Sequence, residues 1–310
     1  MFRFASGFSL VTLSFQVAAF GQIQWHADTL PSDALIRLYE FQVEVPLGQT
    51  FVTTGRCQGF TTTRYSLPSD KPKPVCEVDT TSDQHLHVTF SMGDHTHQLA
   101  QSHASLRAGN GGSHRVAGSI TIDDAPSRYV MELKLDPNAE VVMNMDLGYG
   151  SARLDLSEAH IRGLQIVSGA ADLVVFYNKP NAIPMKFMHL SSGMSKIFVR
   201  NLENSRAENI FIENAMGETK IVVGNAIQAK SMVTIDVGSG SCALVVHRDA
   251  PVRIVVNSTI FPSFSPPEGF LKTSDNTFCT HSYKVHSQEA MTIVVDLGLG
   301  LGSFEMIPFE

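Results

Sequence analysis

Four histidines crowd the stretch QHLHVTFSMGDHTHQ, from Gln84 to Gln98. Leu86, Val88 and Phe90 alternate with His85 and His87, so a strand here turns its apolar residues to one face and both imidazoles to the other. A three-residue turn at Met92, Gly93 and Asp94 would return His95 and His97 to the imidazole face of a hairpin; a two-residue turn would send them to the opposite face. Four imidazoles on one face are a donor set for Zn²⁺, Cu²⁺ or Ni²⁺. Flat sheet faces seldom enclose an ion, so the stretch reads first as a solvated, pH-sensitive hairpin, with Zn or Cu as the alternative. No other cofactor is implied.

The four cysteines, Cys57, Cys76, Cys242 and Cys279, show no Cys-x-x-Cys and no fixed offset from a histidine, which excludes the familiar zinc patterns. Three disulfide pairings are open. The Pro-rich loop SLPSDKPKPVC favours Cys57 with Cys76, which leaves Cys242 with Cys279, although Cys242 stands at a core position and a buried thiol there is the alternative. The chain has no G-x-S-x-G and no H-E-x-x-H, and G-x-G at Gly148, Gly238 and Gly298 lacks the strand-then-helix setting that binds phosphate. No catalytic residue is assigned. Asn257-Ser258-Thr259 is a glycosylation sequon, which matters only in a eukaryotic secretory route.

The elements that position these residues begin with an N-terminal leader. Arg3 precedes an apolar run from Phe8 to Phe20 and the small residues Ala19 and Gly21, which reads as a secretory signal over residues 1–21. The run is too short for a membrane span, which needs about 20 residues, and no later segment supplies one. The rest is expected in the periplasm or at the cell surface, where disulfides form. With 310 residues, 43% hydrophobic and 17% charged, the chain is long and apolar enough to fold around a sizeable core. A net charge of -7 without a basic run argues against nucleic acid as a partner.

VTIDVGSGSCALVV, from Val233, joins two alternating apolar runs through small residues, and MNMDLGYGSARLDL and TIVVDLGLGLGSFEM repeat the pattern. Taking Gly150, Gly169, Gly193, Gly217, Gly240 and Gly300 as anchors, the first five lie 19 to 24 residues apart, the period of a solenoid coil. Apolar pairs precede most anchors (Met145/Leu147, Ile235/Val237) and follow all of them (Leu154/Leu156, Leu244/Val246), so each copy is two short strands about a corner. Asn214 breaks the apolar rule and is expected to be buried and hydrogen-bonded to backbone. Outward residues form columns, one running Asp146, Gln165, His189, Glu213, Asp236 and Asp296. Glu213 beside Asp236 is a carboxylate pair that could hold Ca²⁺, although a solvated face is the plainer reading.

The phrases LGYGSARLDLSEAHIRGLQIVSGAADLVVF and VDLGLGLGSFEM resemble bacterial toast-rack proteins, the LiaF-like and adhesin-like cell-envelope β-solenoid family. The likeness covers roughly residues 126 to 310, and Phe261 to Gln288, with Pro262, Pro266 and Pro267, departs from it as an insertion or degenerate coil. It implies an all-β fold, a parallel β-solenoid at 126–310, and it brings no catalytic residue. Residues 22–125, strand-like in LIRLYEFQVEV and GQTFVTTGRCQGFTTTRYSL, form an N-terminal β domain or the cap that a solenoid end requires. Two functional classes follow. One is a non-enzymatic envelope protein for structure, adhesion or sensing, binding an envelope protein or glycan or associating with itself. The other is a polysaccharide lyase or hydrolase, which aromatics at 8% and a single tryptophan, Trp25 outside the solenoid, disfavour.

Overall fold

The computed structural model describes residues 24–30, 38–54, 61–67, 75–82, 85–91, 130–227, 230–258 and 267–310. The expected leader, Cys57, His95 and His97 lie outside them. The described strands are β1 (Gln24–Leu30), β2 (Leu38–Thr54), β3 (Thr61–Leu67), β4 (Val75–Ser82), β5 (His85–Ser91), β6 (Val130–Leu135), β7 (Glu140–Asp155) and β8 (His160–Phe176). They continue as β9 (Met185–Arg200), β10 (Ala207–Val223), β11 (Ser231–His247), β12 (Val252–Ser258), β13 (Phe270–Ser274), β14 (Thr277–Thr280) and β15 (Met291–Phe309). The fold is all-β, a parallel solenoid whose longest strands bend in the middle into a first and a second arm.

β7 shows how sequence makes a coil. Val141, Met143, Met145 and Leu147 are buried, and after the corner the phase flips, so that Ala152 and Leu154 are buried. A strand alternates faces every residue, so the two arms turn their apolar sides toward each other only if the corner shifts that phase. Gly150 does this at φ 131, and Gly217 and Gly240 do it at φ 134 and 114. A side chain there would also collide with the coil before: a Cβ on Gly217 would lie 2.0 Å from the Ser195 carbonyl oxygen, and one on Gly240 1.9 Å from that of Gly217. Ala171 and Ser195 fill the same column without a positive φ.

β7 through β11 pair in parallel, each coil on the last. Gly150 pairs with Ala171, whereas the sequence anchors placed Gly169 there; Gly193 likewise yields its place to Ser195, which pairs with Gly217. The slip is two residues, which leaves every inward residue inward and so is invisible to an alternating pattern. β15 carries register shifts at its corner, so Phe304 pairs with Cys242 and Met306 with Leu244. Between the arms runs one continuous core of Val, Ile, Leu and Met, with Leu154, Ile166, Ile212, Ile235 and Leu244 at 0% exposure.

Asn214 is buried as expected. Its Nδ2 donates to the Ser195 carbonyl and to Thr219 Oγ1, both at 3.1 Å. The turns that close the coils use polar side chains in the same way: Asn181 accepts from the Ile161 N–H at 2.9 Å and donates to the Ile161 and Ile183 carbonyls. Glu203, in the 3₁₀ turn Leu202–Ser205, accepts from the Gly224 N–H at 2.7 Å.

At both ends the chain order and the stacking order part. β2 lies along both arms of β7, from Leu38 opposite Glu140 to Val52 opposite Leu154, with Gly48 opposite Gly150. The next layer out is shared between β5 on the first arm and β6 on the second. β6 leads directly to β7 in the chain, yet β2 lies between them. At the other end the first arm of β15 lies between β11 and β12, with Val294 opposite Thr234 on one side and Val255 on the other. Antiparallel strands finish each end: β4 on β5, β3 on β6 and β1 on β3 at one, β14 on β12 and β13 on β14 at the other. Such hairpins blunt a parallel stack that would otherwise template further strands. The described part of the irregular segment, residues 267–288, contributes to this finish through β13 and β14, tied down by Thr280 Oγ1, which bonds the Ala250 carbonyl and the Val252 N–H.

One expectation needs correction. Cys242 and Cys279 are both buried and unpaired, not disulfide-bonded. Cys242 sits in the second arm of β11, whereas Cys279 lies on β14, beyond β15 and β12 from the first arm. Three strand spacings make roughly 14 Å, twice the reach of a disulfide. Burial pushes the Cys242 thiol up to about 12, so it carries no thiolate at neutral pH. β5 pairs with β2 and β4, and the turn considered at Met92 to Asp94, with His95 and His97 after it, lies outside the described residues. His87 has Glu40 and Asp79 as its register partners.

Candidate functional site

With the inward residues consumed by the core, chemistry is left to the outer faces of the two arms. On the first arm, Glu213, Asp236 and Asp296 stand side by side in successive lanes, followed by Asn257. Asp296 Oδ1 accepts from Asn257 Nδ2 at 2.7 Å, and Glu213 Oε2 lies 3.3 Å from His189 Nε2. Burial, and then Asp296 and Glu213 on either side, push the Asp236 carboxyl above its ordinary 3.8. Among the described residues no group of three or more His, Cys, Asp or Glu is arranged to hold a metal ion, and that includes this column. The expected neighbours Gln165 and His189 stand one column over, beside Asn144 and Phe211, as the two-residue slip requires.

Beside the acids lies an apolar field. Phe187, Phe211 and Met232 are 36%, 45% and 44% exposed, well above the level of a core residue. Gly163 makes room for the Phe187 ring, since a Cβ there would come within 2.6 Å of it. His189 meets the Phe211 ring edge to face at 6.2 Å between centroids. Met194 and Met216, at 56% and 48% exposure, continue the apolar surface around the corner. These residues were missed in the sequence, although the signal was present: Phe187 and Phe211 are out of phase with the buried Met188 and Leu190, and Ile210 and Ile212, beside them.

The second arm is of different character. Arg153 lies over the Phe176 ring at 4.8 Å and Lys220 over Phe198 at 5.9 Å. Arg200 is exposed in the lane between, and Val174, Val222 and Val245 fill the field around them as half-buried residues. Cations seated on rings keep their charge outward while shielding the apolar surface below.

His85, His87 and Cys76 belong to described strands, but His95, His97 and Cys57 lie outside the described residues, so the imidazole set and the first cysteine pair are not brought together here. Among the described residues no helix is long and apolar enough to cross a membrane.

No known family profile and no curated protein matches this chain. Solved structures similar to it include a candidate cell adhesion protein from Clostridium sporogenes, at a TM-score of 0.41 and 12% identity over 93% of this chain and 100% of that one. A candidate adhesin from Bacteroides fragilis is similar at a TM-score of 0.26 and 11% identity, over 97% of each chain.

Proposed function

We propose that this chain is a non-enzymatic, exported protein of the cell envelope that acts as a rigid interaction module, displaying flat strand faces for adhesion to another envelope component, a protein or a glycan. The observation that carries the reading is the first-arm face, where Phe187, Phe211 and Met232 are exposed beside the carboxylates of Glu213, Asp236 and Asp296. A monomer gains nothing from aromatic side chains held in water, and ordered exposed apolar patches mark contact surfaces. The frame suits the task, because every arm is hydrogen-bonded on both edges within the stack and presents its columns at fixed spacing. Export rests on the leader read from residues 1–21.

The test is fractionation and retention. Cells expressing the full chain are treated with protease before lysis, and purified chain is incubated with isolated envelopes. The reading expects digestion on intact or permeabilised cells and saturable retention that falls about tenfold in a Phe187→Ser/Phe211→Ser/Met232→Ser variant. Protection inside the cytoplasm, or retention unchanged by the triple substitution, would contradict it.

A further inference from the structure

The two outer faces are built from the same lanes, yet their charges are distributed differently. On the second arm the outward residues carry four acids, Asp155, Asp172, Glu218 and Glu305, and four cations, Arg153, Lys196, Arg200 and Lys220. Acids and cations adjoin there: the Lys196 N–H donates to Asp172 Oδ1 at 2.9 Å, and its ammonium lies 4.0 Å from Glu218. On the first arm one column runs Glu44, Asp146, Val167, Ser191, Glu213, Asp236, Asp296 and Asn257, from β2 to β12. It holds five carboxylates and no Lys, Arg or His. Phe211 stands two residues from this column along its strand, and Phe187 and Met232 stand four. We infer that this face receives a cationic, amphipathic segment of another envelope protein, its Lys or Arg side chains on the acid column and its apolar side chains on Phe187, Phe211 and Met232. The inference rests on the reading of the face as an adhesive surface and names the chemistry of its partner.

Charge complementarity supports it. Like charges side by side destabilise a sheet, and Glu213, Asp236 and Asp296 occupy three successive lanes. Among the described residues no Lys or Arg pairs with any of the three: Glu213 meets His189, and Asp296 meets the Asn257 amide. The crowding is felt at Asp236, whose carboxyl its two neighbours help to raise. The cations of this arm stand elsewhere: Arg162 pairs with Glu140, Lys186 lies beside Glu208, and Arg253 is four residues before Asn257 in β12. A partner that brings cations relieves the repulsion in the column. What borders the acids sets the partner's class. A neutral glycan brings no cation and an acidic one is repelled, whereas Lys and Arg carry a charged tip on an apolar stem that suits the neighbouring rings. The acids span seven lanes, β2 to β15, or about 29 Å, room for one segment laid across the strands.

The experiment is calorimetric titration of the purified full chain with a soluble amphipathic peptide of lysine and leucine, the same peptide with glutamate for lysine, and a polyuronate. Saturable binding is expected for the lysine peptide alone, weakening as salt is added. A Glu213→Gln/Asp236→Asn/Asp296→Asn variant should bind it at least about tenfold more weakly, yet melt no lower than wild type, because neutral amides keep the hydrogen bonds and end the repulsion. Asp172→Asn/Glu218→Gln/Glu305→Gln removes the same charge from the second arm and should bind as wild type does. No saturable binding of the lysine peptide, or a preference for either anionic probe, overturns the inference without recourse to any variant. Equal losses in the two variants overturn it as well, since they mark a general attraction to an acidic chain. Envelope retention that falls in the Phe187→Ser/Phe211→Ser/Met232→Ser variant but ignores both salt and the first-arm neutral variant would overturn the cationic partner and leave the proposed function standing.

Discussion

Between Glu140 and His247 the chain and the stack run in the same order, β7 to β11, each coil laid on its predecessor. At the ends they do not: β2 is interposed between β6 and β7, and β15 between β11 and β12. The central coils are held by neighbours in sequence, so their contacts are local and repetitive. The ends are stitched by segments far apart in the chain, and an interposed strand must arrive before the lane beyond it can pair. This teaches that a solenoid's middle follows from its repeat, whereas its ends are set by which distant strand fills the open lane.

The strongest way to break the comparison is a charge in the central core. Leu154→Asp or Leu244→Asp buries an unpaired carboxylate where exposure is 0%, and should cost at least about 3–5 kcal/mol and unfold the whole stack in a denaturation series. Arg153→Ala, one residue from Leu154 but outward, should cost only about 0.5 kcal/mol. The same kind of charge at an end should do less. Ile254→Asp in β12 is equally buried, yet it should open β12 to β14 and leave β8 to β10 protected in hydrogen exchange. Loss of protection throughout would show that ends and middle are one cooperative unit.

Corner substitutions should be milder. Gly217→Ala or Gly240→Ala places a Cβ at a positive φ and against the carbonyl of the coil before, for a cost of about 1–3 kcal/mol from backbone strain alone. The smallest effect concerns Glu203. Burial, opposed by the Gly224 N–H, its own backbone N–H and the field of His247, raises its carboxyl above the ordinary 4.5. A raised carboxyl contributes stability that is full below 4.5 and is lost as pH rises through its folded value. Glu203→Gln keeps an acceptor for Gly224 without that loss, so melting temperatures from about pH 4 to pH 8 should shift in favour of the variant as pH rises. A constant gap would refute the coupling.

The inward face of the rack was legible because burial imposes a strict phase. Met145, Leu147, Leu154 and Leu156 declare both arms and the flip between them, and Asn214 stood out as a lone polar residue in that phase. Register was only half legible. Slipping Gly169 and Gly193 by two residues moves no side chain from core to water, so nothing in the pattern resists it. The partners at the ends were not legible at all, since the apolar stripes of β12 and β15 satisfy equally the lane beside β11. The pairing of Cys242 with Cys279 failed for the same reason: it depends on which lanes adjoin, and these two lie in lanes that do not. Outward residues obey no burial rule, which is why the Phe187 and Phe211 field emerged only once the phase was fixed in three dimensions.

The interposed lane at the C-terminal end can be tested by cross-linking. Thr234 and Val294 are register partners in adjacent lanes, whereas Val255 is paired with Val294 on its far side. Adjacent lanes, about 4.8 Å apart, lie within disulfide reach, and lanes two apart, at about 9.6 Å, do not. Oxidation of a Thr234→Cys/Val294→Cys variant should therefore give a disulfide on peptide mapping, and a Thr234→Cys/Val255→Cys variant should give none. The reverse result, a bond to position 255 and none to position 294, would mean that β12 follows β11 directly and that the stack keeps chain order to its end.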